Sequence, residues 1–388
     1  MADYNWIDDM KIRASYGEVG NDNIGSYGYQ ALYGTYPNAE SPGIRWESVG
    51  NTALTWEVNR TFDAAFDFAL FDRISGSIEW YKRISDDLLY EMPLPVSMGR
   101  LEQPRNIASL FNSGLEINLQ GYVVNKRNFT WNLGFMGSTI KNEITSIPEP
   151  FVNGTKRWSE GHSIYDFWLR KYYDIDPEDG ATRFHVWEDV ENEEGEFIGT
   201  QLAYDDNGDP VLTKNHNDAN YGYVGASAFP DFQGSVRNEF VYKGFSVSAL
   251  LTYSLGGQMI DGIYQDMLTS VVGESYHPDV NNSWMNPGDV AELPRLQYSN
   301  SSLYATSDFF LISSDYLSIR NVTLSYSFSD QLIENWGLGD LSVYLTGENL
   351  HMFTARKGMN PTYNFSGTQS VFAYNPSRSI ILGFSLQF

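Results

Sequence analysis

Residues 377–388 read SRSIILGFSLQF, and large apolar side chains recur there at every second position. Ile380, Leu382, Phe384 and Leu386 share one face, while the other face is mostly small or polar. This period of two is typical of a β-strand. A strand with one apolar and one polar face either covers a protein core or separates lipid from water.

The same alternation returns along the chain and predicts ten strands. An apolar phase slip between Ile319 and Val322 predicts a β-bulge at Arg320 or Asn321. The ten predicted strands cover residues 10–16, 54–70, 74–84, 115–120, 129–144, 229–242, 245–253, 308–328, 341–346 and 380–388.

The connections between these strands alternate between short and long. The short ones are residues 71–73, 125–128, 243–244 and 329–339, and all of them fall at one end of the strands. Large loops are predicted at the other end, at residues 18–53, 87–110, 144–228, 259–307 and 354–376. Short turns at one end and long loops at the other are typical of an outer-membrane β-barrel, although a soluble β-sandwich also has alternating strands.

Composition excludes several classes of protein. The 388 residues include 49 acidic and 25 basic ones, so the net charge of −24 disfavours nucleic-acid binding. Cysteine is absent, which removes disulfides, thiol catalysis and CxxC zinc sites. The sequence contains no run of 18 consecutive apolar residues, so no transmembrane helix is predicted.

Six segments, in order along the chain, carry a family resemblance. They are NTALTWE (51–57), FDFALFDRISGSIEWYKRISDDLL (66–89), NIASLFNSGLEINL (106–119), RNVTLSYSF (320–328), VYLTGENLHMFT (343–354) and SRSIILGFSLQF (377–388). Together they resemble the C-terminal half of the SusC-like TonB-dependent transporters of Bacteroidetes. The predicted fold is therefore all-β, an antiparallel transmembrane β-barrel portion with about ten strands of a larger, 22-stranded barrel.

The resemblance implies location in the outer membrane of a Gram-negative bacterium and import of an oligosaccharide or peptide. It also implies a SusD-like surface lipoprotein partner, TonB as the energy source, and Phe388 as an assembly signal at the terminal aromatic position. A signal sequence, a TonB box and a plug domain belong to that family, and none of them is expected within this chain.

No catalytic motif favours an enzyme. The five histidines lack metal-ligand spacing, and nucleophile-elbow and phosphate-loop motifs are absent. Two alternatives to the importer stay open: a small closed outer-membrane pore or adhesin, and a soluble glycan-binding β protein.

The 144–228 loop concentrates negative charge. Residues 159–218 include 16 acidic and 4 basic residues, a net charge of −12. Asp205, Asn207 and Asp209 have the spacing of a calcium loop, but Pro210 occupies the position of its turn glycine. No cofactor is expected, with calcium in this loop as a second interpretation. Residues 174–179 (DIDPED) are better explained as a turn.

Aromatic residues in the long loops are the candidate ligand contacts. Flat rings stack on sugars or peptide side chains, and neighbouring polar groups bind hydroxyls, which favours neutral or cationic ligands. Alternatively, these rings form small cores within the loops. The predicted ligand-binding residues are Trp158, Trp168, Tyr172, Trp187, Tyr264 and Trp284.

Overall fold

Antiparallel strands dominate the computed structural model of the chain. The structure describes residues 6–22, 27–38, 41–99, 102–193, 195, 197–269, 273, 275–297, 300–333, 337–369 and 374–387. Phe388, the predicted assembly signal, lies outside these described residues. None of the described helices is long and apolar enough to cross a membrane.

The strands alternate with a few short helices. In chain order they are β1 (Ile7–Asn21), β2 (Leu32–Asn38), β3 (Ser41–Ser48), β4 (Glu57–Leu70), β5 (Ile74–Pro93), β6 (Glu102–Lys126), β7 (Phe129–Ser138), β8 (Lys141–Ser146), β9 (Phe151–Asn153), β10 (Lys156–Trp158), β11 (Asp166–Leu169), β12 (Tyr172–Ile175), β13 (Thr182–His185), β14 (Trp187–Glu191), β15 (Phe197–Leu202), β16 (Leu212–Thr213), β17 (Gly222–Ser227), β18 (Phe232–Tyr242), β19 (Phe245–Leu255), β20 (Gln258–Ile260), β21 (Leu311–Ser313), β22 (Tyr316–Ser327), β23 (Asp340–Thr354) and β24 (Ser379–Gln387). The α-helices are α1 (Gly262–Leu268) and α2 (Asp330–Ile333), and 3₁₀ turns cover Val96–Met98, Pro278–Asn282 and Asp308–Phe310.

Two structural units are distinguished. The first comprises residues 1–123, 134–151 and 158–164, and the second comprises 124–133, 152–157 and 165–388. In the first unit β1, β4, β5 and β6 pair in that order, and β6 also pairs with β8. In the second unit β18, β19, β22, β23 and β24 pair in that order. All these pairs are antiparallel, and the all-β prediction is confirmed.

An apolar row crosses five strands of the second unit. Strand register aligns Phe240, Val247, Leu324, Leu345 and Leu382 side by side. Each of these side chains is at least 36% exposed, and Leu382 is 74% exposed. A continuous apolar face left open in this way is what the lipid-facing side of a membrane barrel requires.

A mostly aromatic row lies beside this apolar row, next to the short turn at Lys243 and Gly244. Register aligns Tyr242, Phe245 and Tyr326, and then Val343 and Phe384 on the last two strands, which gives four aromatic positions out of five. Aromatic girdles of this kind mark the interface between membrane and water in barrel proteins. The row therefore places the short turns at one membrane surface.

The first unit has the same division between two faces. Ile12, Phe66 and Ile78 align on one face and are 82%, 37% and 39% exposed. Arg13 lies on the opposite face, where its Nε donates to Asp67 Oδ2 at 2.6 Å and its Nη2 lies 3.5 Å from Glu79 Oε2. Charged partners on one face and apolar side chains on the other are expected of a strand between an aqueous lumen and lipid.

The predicted bulge and the predicted short turns at residues 71–73 and 243–244 are confirmed. Phe71 and Asp72 both have positive φ, as do Lys243 and Gly244, which suits tight hairpin turns. Arg320 is left out of the register on both sides of β22, so the bulge lies at this residue.

The boundaries of several predicted segments were wrong. Most of the predicted 87–110 loop is strand, because β5 continues to Pro93 and β6 begins at Glu102. A register shift between Ser85 and Leu88, with positive φ at Asp87, changes the apolar phase and hides the strand in the sequence. Residues 129–144 form two strands, and β8 turns back to pair with β6.

The strand predicted at 308–328 also begins later. Residues 308–310 form a 3₁₀ turn, β21 pairs with β20, and β22 begins at Tyr316. The apolar run at 309–312 resembles a strand in the sequence because Phe310 is buried in a core formed by loop residues.

The long loops contain small cores and short sheets of their own. Within the 144–228 loop, β12 pairs with β13, β13 with β16, and β14 with β15. One core in the second unit contains Phe167, Leu169, Ala228, Ile260, Leu268, Leu293 and Phe310. The 144–228 loop is therefore folded, and residues from the 259–307 loop pack in the same core.

We expect the two strand faces to respond differently to a charge. Leu324→Arg places a cation on the exposed apolar row and should cost roughly 2–4 kcal/mol near the bilayer midplane. Its neighbour Ser325 lies on the other face, so Ser325→Arg should cost much less. Equilibrium unfolding of the protein in lipid vesicles would measure both, and equal losses would contradict the assignment of the faces.

Candidate functional site

A cavity lined by uncharged groups lies at the loop end of the polar strand face in the second unit. Its volume is about 150 Å³. Gln233, Ser254 and Tyr316 form part of its wall, and strand register places these three residues side by side on β18, β19 and β22. Residues 360–368 supply much of the remaining lining. We call this the amide cavity.

The segment that closes the amide cavity is held by hydrogen bonds to its own side chains. Asn364 Nδ2 donates to the Thr368 carbonyl at 2.8 Å, and Asn364 Oδ1 accepts from the Ser366 amide at 3.0 Å. Asn360 Oδ1 accepts from the amide and hydroxyl of Thr362. These turns leave the segment little freedom to collapse into the cavity.

Gly367 attaches this segment to the loop core. The Ile260 amide donates to the Gly367 carbonyl at 2.8 Å, and Gly367 has a φ of +69°. A Cβ at this position would lie 2.6 Å from Ala228 Cβ and 2.8 Å from Phe167 Cζ. Only glycine fits, because both the backbone conformation and the space exclude a side chain.

The lining of the amide cavity is chemically uniform. None of its sixteen described lining residues is charged, although 19% of the chain is. Gln233, Gln258 and Asn364 supply amides, and Tyr363 and Phe365 supply rings that are 53% and 67% exposed. Amides both donate and accept hydrogen bonds, and exposed rings stack on flat apolar surfaces. This combination suits a neutral polar ligand.

A second cavity, of about 280 Å³, lies beside a partly buried ion pair. Arg356 Nε donates to Asp261 Oδ2 at 2.6 Å, and the Arg356 guanidinium lies 3.8 Å from the centre of the Tyr264 ring. The Tyr264 hydroxyl donates to Asp279 Oδ2 at 2.9 Å. Burial, together with this hydrogen bond, raises the pKa of Tyr264 to about 12. We call this the Arg356 cavity.

Two of the six predicted aromatic residues are buried within the loop. Trp168 and Trp187 are only 5% and 7% exposed. Trp168 contacts Tyr223 edge to face at 4.8 Å, and Gly222 leaves no room for a Cβ beside the Trp187 ring. In this structure both rings pack against protein groups. This agrees with the alternative interpretation, in which the loop aromatic residues form small cores within the loops.

The other four predicted residues are partly exposed. Trp158 packs with Tyr90 and Phe151 at about 5 Å in the first unit. Tyr172 contacts Phe309 at 4.8 Å. Burial raises the pKa of Tyr172 to about 12.

Trp284 and Tyr264 complete the set. Trp284 Nε1 donates to the Pro177 carbonyl at 3.0 Å. Tyr264 lines the Arg356 cavity, and the six residues do not form a single site. Their role as ligand contacts stays a prediction, with Tyr264 best placed for it among the six.

The amide cavity was not predicted from the sequence. Its signal was the run NPTYNFSGT at residues 360–368, in which amide and hydroxyl residues flank two aromatic ones. The predicted contacts lie in loops that contain Trp, and the 354–376 loop has none.

Several acidic side chains of the 144–228 loop are paired with cations. Asp174 accepts from Arg183 at 2.6 Å, and Lys214 Nζ lies 2.7 Å from Asp176 and 3.2 Å from Asp179. The hydrogen bond from Lys214 contributes most to holding the pKa of Asp176 below its usual range. The predicted turn is confirmed at residues 176–181, which connect β12 to β13, whereas Asp174 and Ile175 belong to β12.

The predicted calcium loop forms an ordinary hydrogen-bonded turn. Asp205 Oδ1 accepts from the amides of Asn207 at 2.8 Å and Asp209 at 3.0 Å. These bonds lower the pKa of Asp205. Among the described residues, no group of three or more His, Asp or Glu side chains is arranged to hold a metal ion. Calcium binding stays an untested prediction.

Comparison with known proteins agrees with the resemblance seen in the sequence. TonB-dependent receptor P39 of Formosa agariphila is 27% identical over 438 residues, covering all of this chain and 41% of the receptor. TonB-dependent receptor SusC of Bacteroides thetaiotaomicron is 28% identical over 411 residues, covering all of this chain and 38% of SusC. Over its whole length the chain is similar to SusC-like TonB-dependent receptors.

The fold agrees with this family. The structure of the RagAB peptide importer in its closed-closed state matches all of this chain with a TM-score of 0.86, at 23% identity and over 42% of the importer chain. No known family profile matches the chain. The SusC-like chain spans about 40% of the length of the curated relatives it matches. It is located in the outer membrane of a Gram-negative bacterium.

We expect Gly367→Ala to loosen the segment that closes the amide cavity. The substitution combines a disfavoured backbone conformation with a steric clash. Each of the two should lower the stability of the segment by roughly 1–3 kcal/mol. Limited proteolysis should then cut within residues 356–370 faster than in the wild type.

Gly358→Ala is the matched control. Gly358 also has a positive φ, of +90°, but a Cβ there meets nothing within 4 Å. This variant should show only the backbone effect. Equal cleavage rates in the two variants would mean that the contacts of Gly367 with Ala228 and Phe167 do not hold the segment.

The buried side chain of Lys156 should make the stability of the 144–228 loop depend on pH. Its Nζ is buried, donates to the Tyr165 carbonyl at 2.7 Å and lies 2.9 Å from the centre of the Phe167 ring. Burial lowers the pKa of Lys156 to about 7, whereas in an unfolded loop it would be about 10.4. Between these values the unfolded loop binds the extra proton, so stability should rise from pH 7 to about 10.

The test is proteolysis of the loop at pH 7 and pH 9. Resistance should be greater at pH 9, and Lys156→Met should reduce that difference because the side chain no longer titrates. Lys243→Met, at an exposed turn, controls for the change in protease activity. A difference that persists unchanged in Lys156→Met would show that another group is responsible.

Proposed function

We propose that this chain forms part of the barrel wall and the outer loops of a TonB-dependent importer. Its cargo is a neutral oligomer, either an oligosaccharide or a peptide, that crosses the outer membrane. The observation that carries this proposal is the amide cavity, whose lining holds amides, hydroxyls and exposed rings but no charge.

The charge of the 144–228 loop supports this class of cargo. Residues 159–218 have a net charge of −12, which repels polyanions within a Debye length of about 8 Å. Neutral and cationic oligomers meet no such barrier. Amide groups can bind either sugar hydroxyls or peptide groups, so the cavity chemistry accommodates both candidate cargoes.

Two partners belong to this proposal. TonB would supply energy, which is supported by the names of the curated relatives. A SusD-like surface lipoprotein would capture the cargo above the loops, which is supported by the similarity to SusC and by the fold shared with RagAB. The family relationship disfavours the two alternatives, a closed pore and a soluble glycan-binding protein.

The test uses substitutions in the gene that encodes the receptor. Phe365→Ala and Gln258→Ala each remove one group that lines the amide cavity. We expect each to weaken cargo binding by about 1 kcal/mol or more, a fivefold or larger effect. Growth on a panel of neutral oligosaccharides and on neutral, cationic and anionic peptides, with binding measured by calorimetry, would identify the cargo class.

Tyr374→Ala is the matched control for Phe365→Ala. Tyr374 belongs to the same loop and is 94% exposed, but it does not line the cavity. It should leave binding unchanged. Growth that persists without TonB would contradict the importer, whereas TonB-dependent growth that neither cavity variant impairs would contradict only the role of the amide cavity.

A further inference from the structure

A third cavity, of about 580 Å³, lies at the loop end of β22 and β23. It is lined by residues from both strands and from segments 357–360 and 375–378. β24 begins at Ser379, opposite Glu348, so residues 349–354 of β23 extend beyond the pairing with β24. It shares Asn360 with the amide cavity, but none of its basic residues lines that cavity, and we call it the basic cavity.

The charge of the basic cavity is opposite to that of the chain. Arg320, Lys357 and Arg378 line it together with His351, and none of its described lining residues is acidic. Within the described part of the chain none of the three permanent cations forms an ion pair with a carboxylate. Acidic residues outnumber basic ones almost two to one in the sequence, so this grouping is unusual.

The strand irregularity at Arg320 builds one wall of this cavity. Arg320 bulges out of the register on β22, and opposite it Asn349 on β23 has a positive φ of 49°. Arg320 Nη1 donates to Asn349 Oδ1 at 3.0 Å, and Asn349 Nδ2 donates to the Ser377 carbonyl at 3.2 Å. These bonds connect the bulge to the segment that carries Arg378. A bulge commonly redirects a side chain toward a functional site.

The basic cavity borders the lipid-facing side of the strands. Leu317 and Phe353 are paired across β22 and β23, are 42% and 53% exposed, and lie in register with Tyr253. Phe353 lines the cavity as well, so cations and apolar groups lie side by side. Long loops of outer-membrane barrels face the cell exterior, so this junction is at the level of the outer lipid headgroups.

We propose that the basic cavity binds the phosphate group of an anionic lipid in the outer leaflet. The cations would neutralise the phosphate, while Phe353 and Leu317 contact the apolar part of the lipid. The shared chemistry is a phosphate anion, which a lipid headgroup or free phosphate could provide. The apolar border favours the lipid.

The test uses the receptor purified in a neutral detergent. Phosphatidic acid is the lipid probe, phosphatidylcholine is the lipid without net charge, and inorganic phosphate is the soluble anion. Binding is measured by native mass spectrometry and by calorimetry. Removal of each cation should weaken binding about fivefold, which corresponds to roughly 1 kcal/mol. The double variant Lys357→Gln with Arg378→Gln should therefore bind phosphatidic acid about 25-fold more weakly than the wild type. Raising the salt concentration should weaken wild-type binding as well.

Lys126→Gln with Arg127→Gln is the control, because it removes the same charge at the short turn after β6. It should bind phosphatidic acid as the wild type does, and heat-dependent migration on gels would show that both variants keep the barrel fold. Equal binding by the cavity variant and the wild type would overturn the proposal. Cation-dependent binding of inorganic phosphate without binding of phosphatidic acid would reject the lipid and assign a soluble anion.

Discussion

The structure depends on one constraint: each long strand satisfies its backbone hydrogen bonds with neighbouring strands while keeping one face apolar and the other polar. Side chains alternate with a period of two, so a register slip of one residue would turn an apolar row toward water. The row from Phe240 to Leu382 and the ion pair of Arg13 with Asp67 are two consequences of this constraint. Where the period changes, at Arg320, the strands change their pairing, and the basic cavity forms beside that change.

The long loops meet a different constraint, because they have to form cores without help from the apolar strand face. Phe167, Leu169 and Phe310 are almost fully buried, and the large rings need glycine beside them. Gly180, with a φ of +67°, leaves space for Trp284. The same rings that could stack on a ligand are therefore used first for folding the loop.

How much the sequence could predict depends on whether each signal is local. All ten long strands could be located, because alternation and turn residues are local signals. The continuation of β5 to Pro93 could not be predicted, because the bulge at Asp87 reverses the alternation of apolar and polar side chains. The apolar run at 309–312 was predicted as strand because a buried loop segment and a strand share composition. Burial of Trp168 and Trp187 depends on Tyr223 and Gly222, whose proximity only the fold creates.

The cavities described in the second unit differ in charge, and therefore in the ligands that they can accept. The acidic residues of the 144–228 loop are partly neutralised by Lys214 and Arg183, so that loop is less repulsive close up than its net charge indicates. The amide cavity has no charge of its own, and the Arg356 cavity contains a compensated ion pair. Of these three cavities, the basic cavity alone has cations that form no ion pair with a carboxylate in the described part of the chain. The proposed cargo contact, which avoids fixed charge, and the proposed lipid contact, which depends on it, can therefore coexist on neighbouring strands, because one cavity opens on the polar face and the other borders the apolar face.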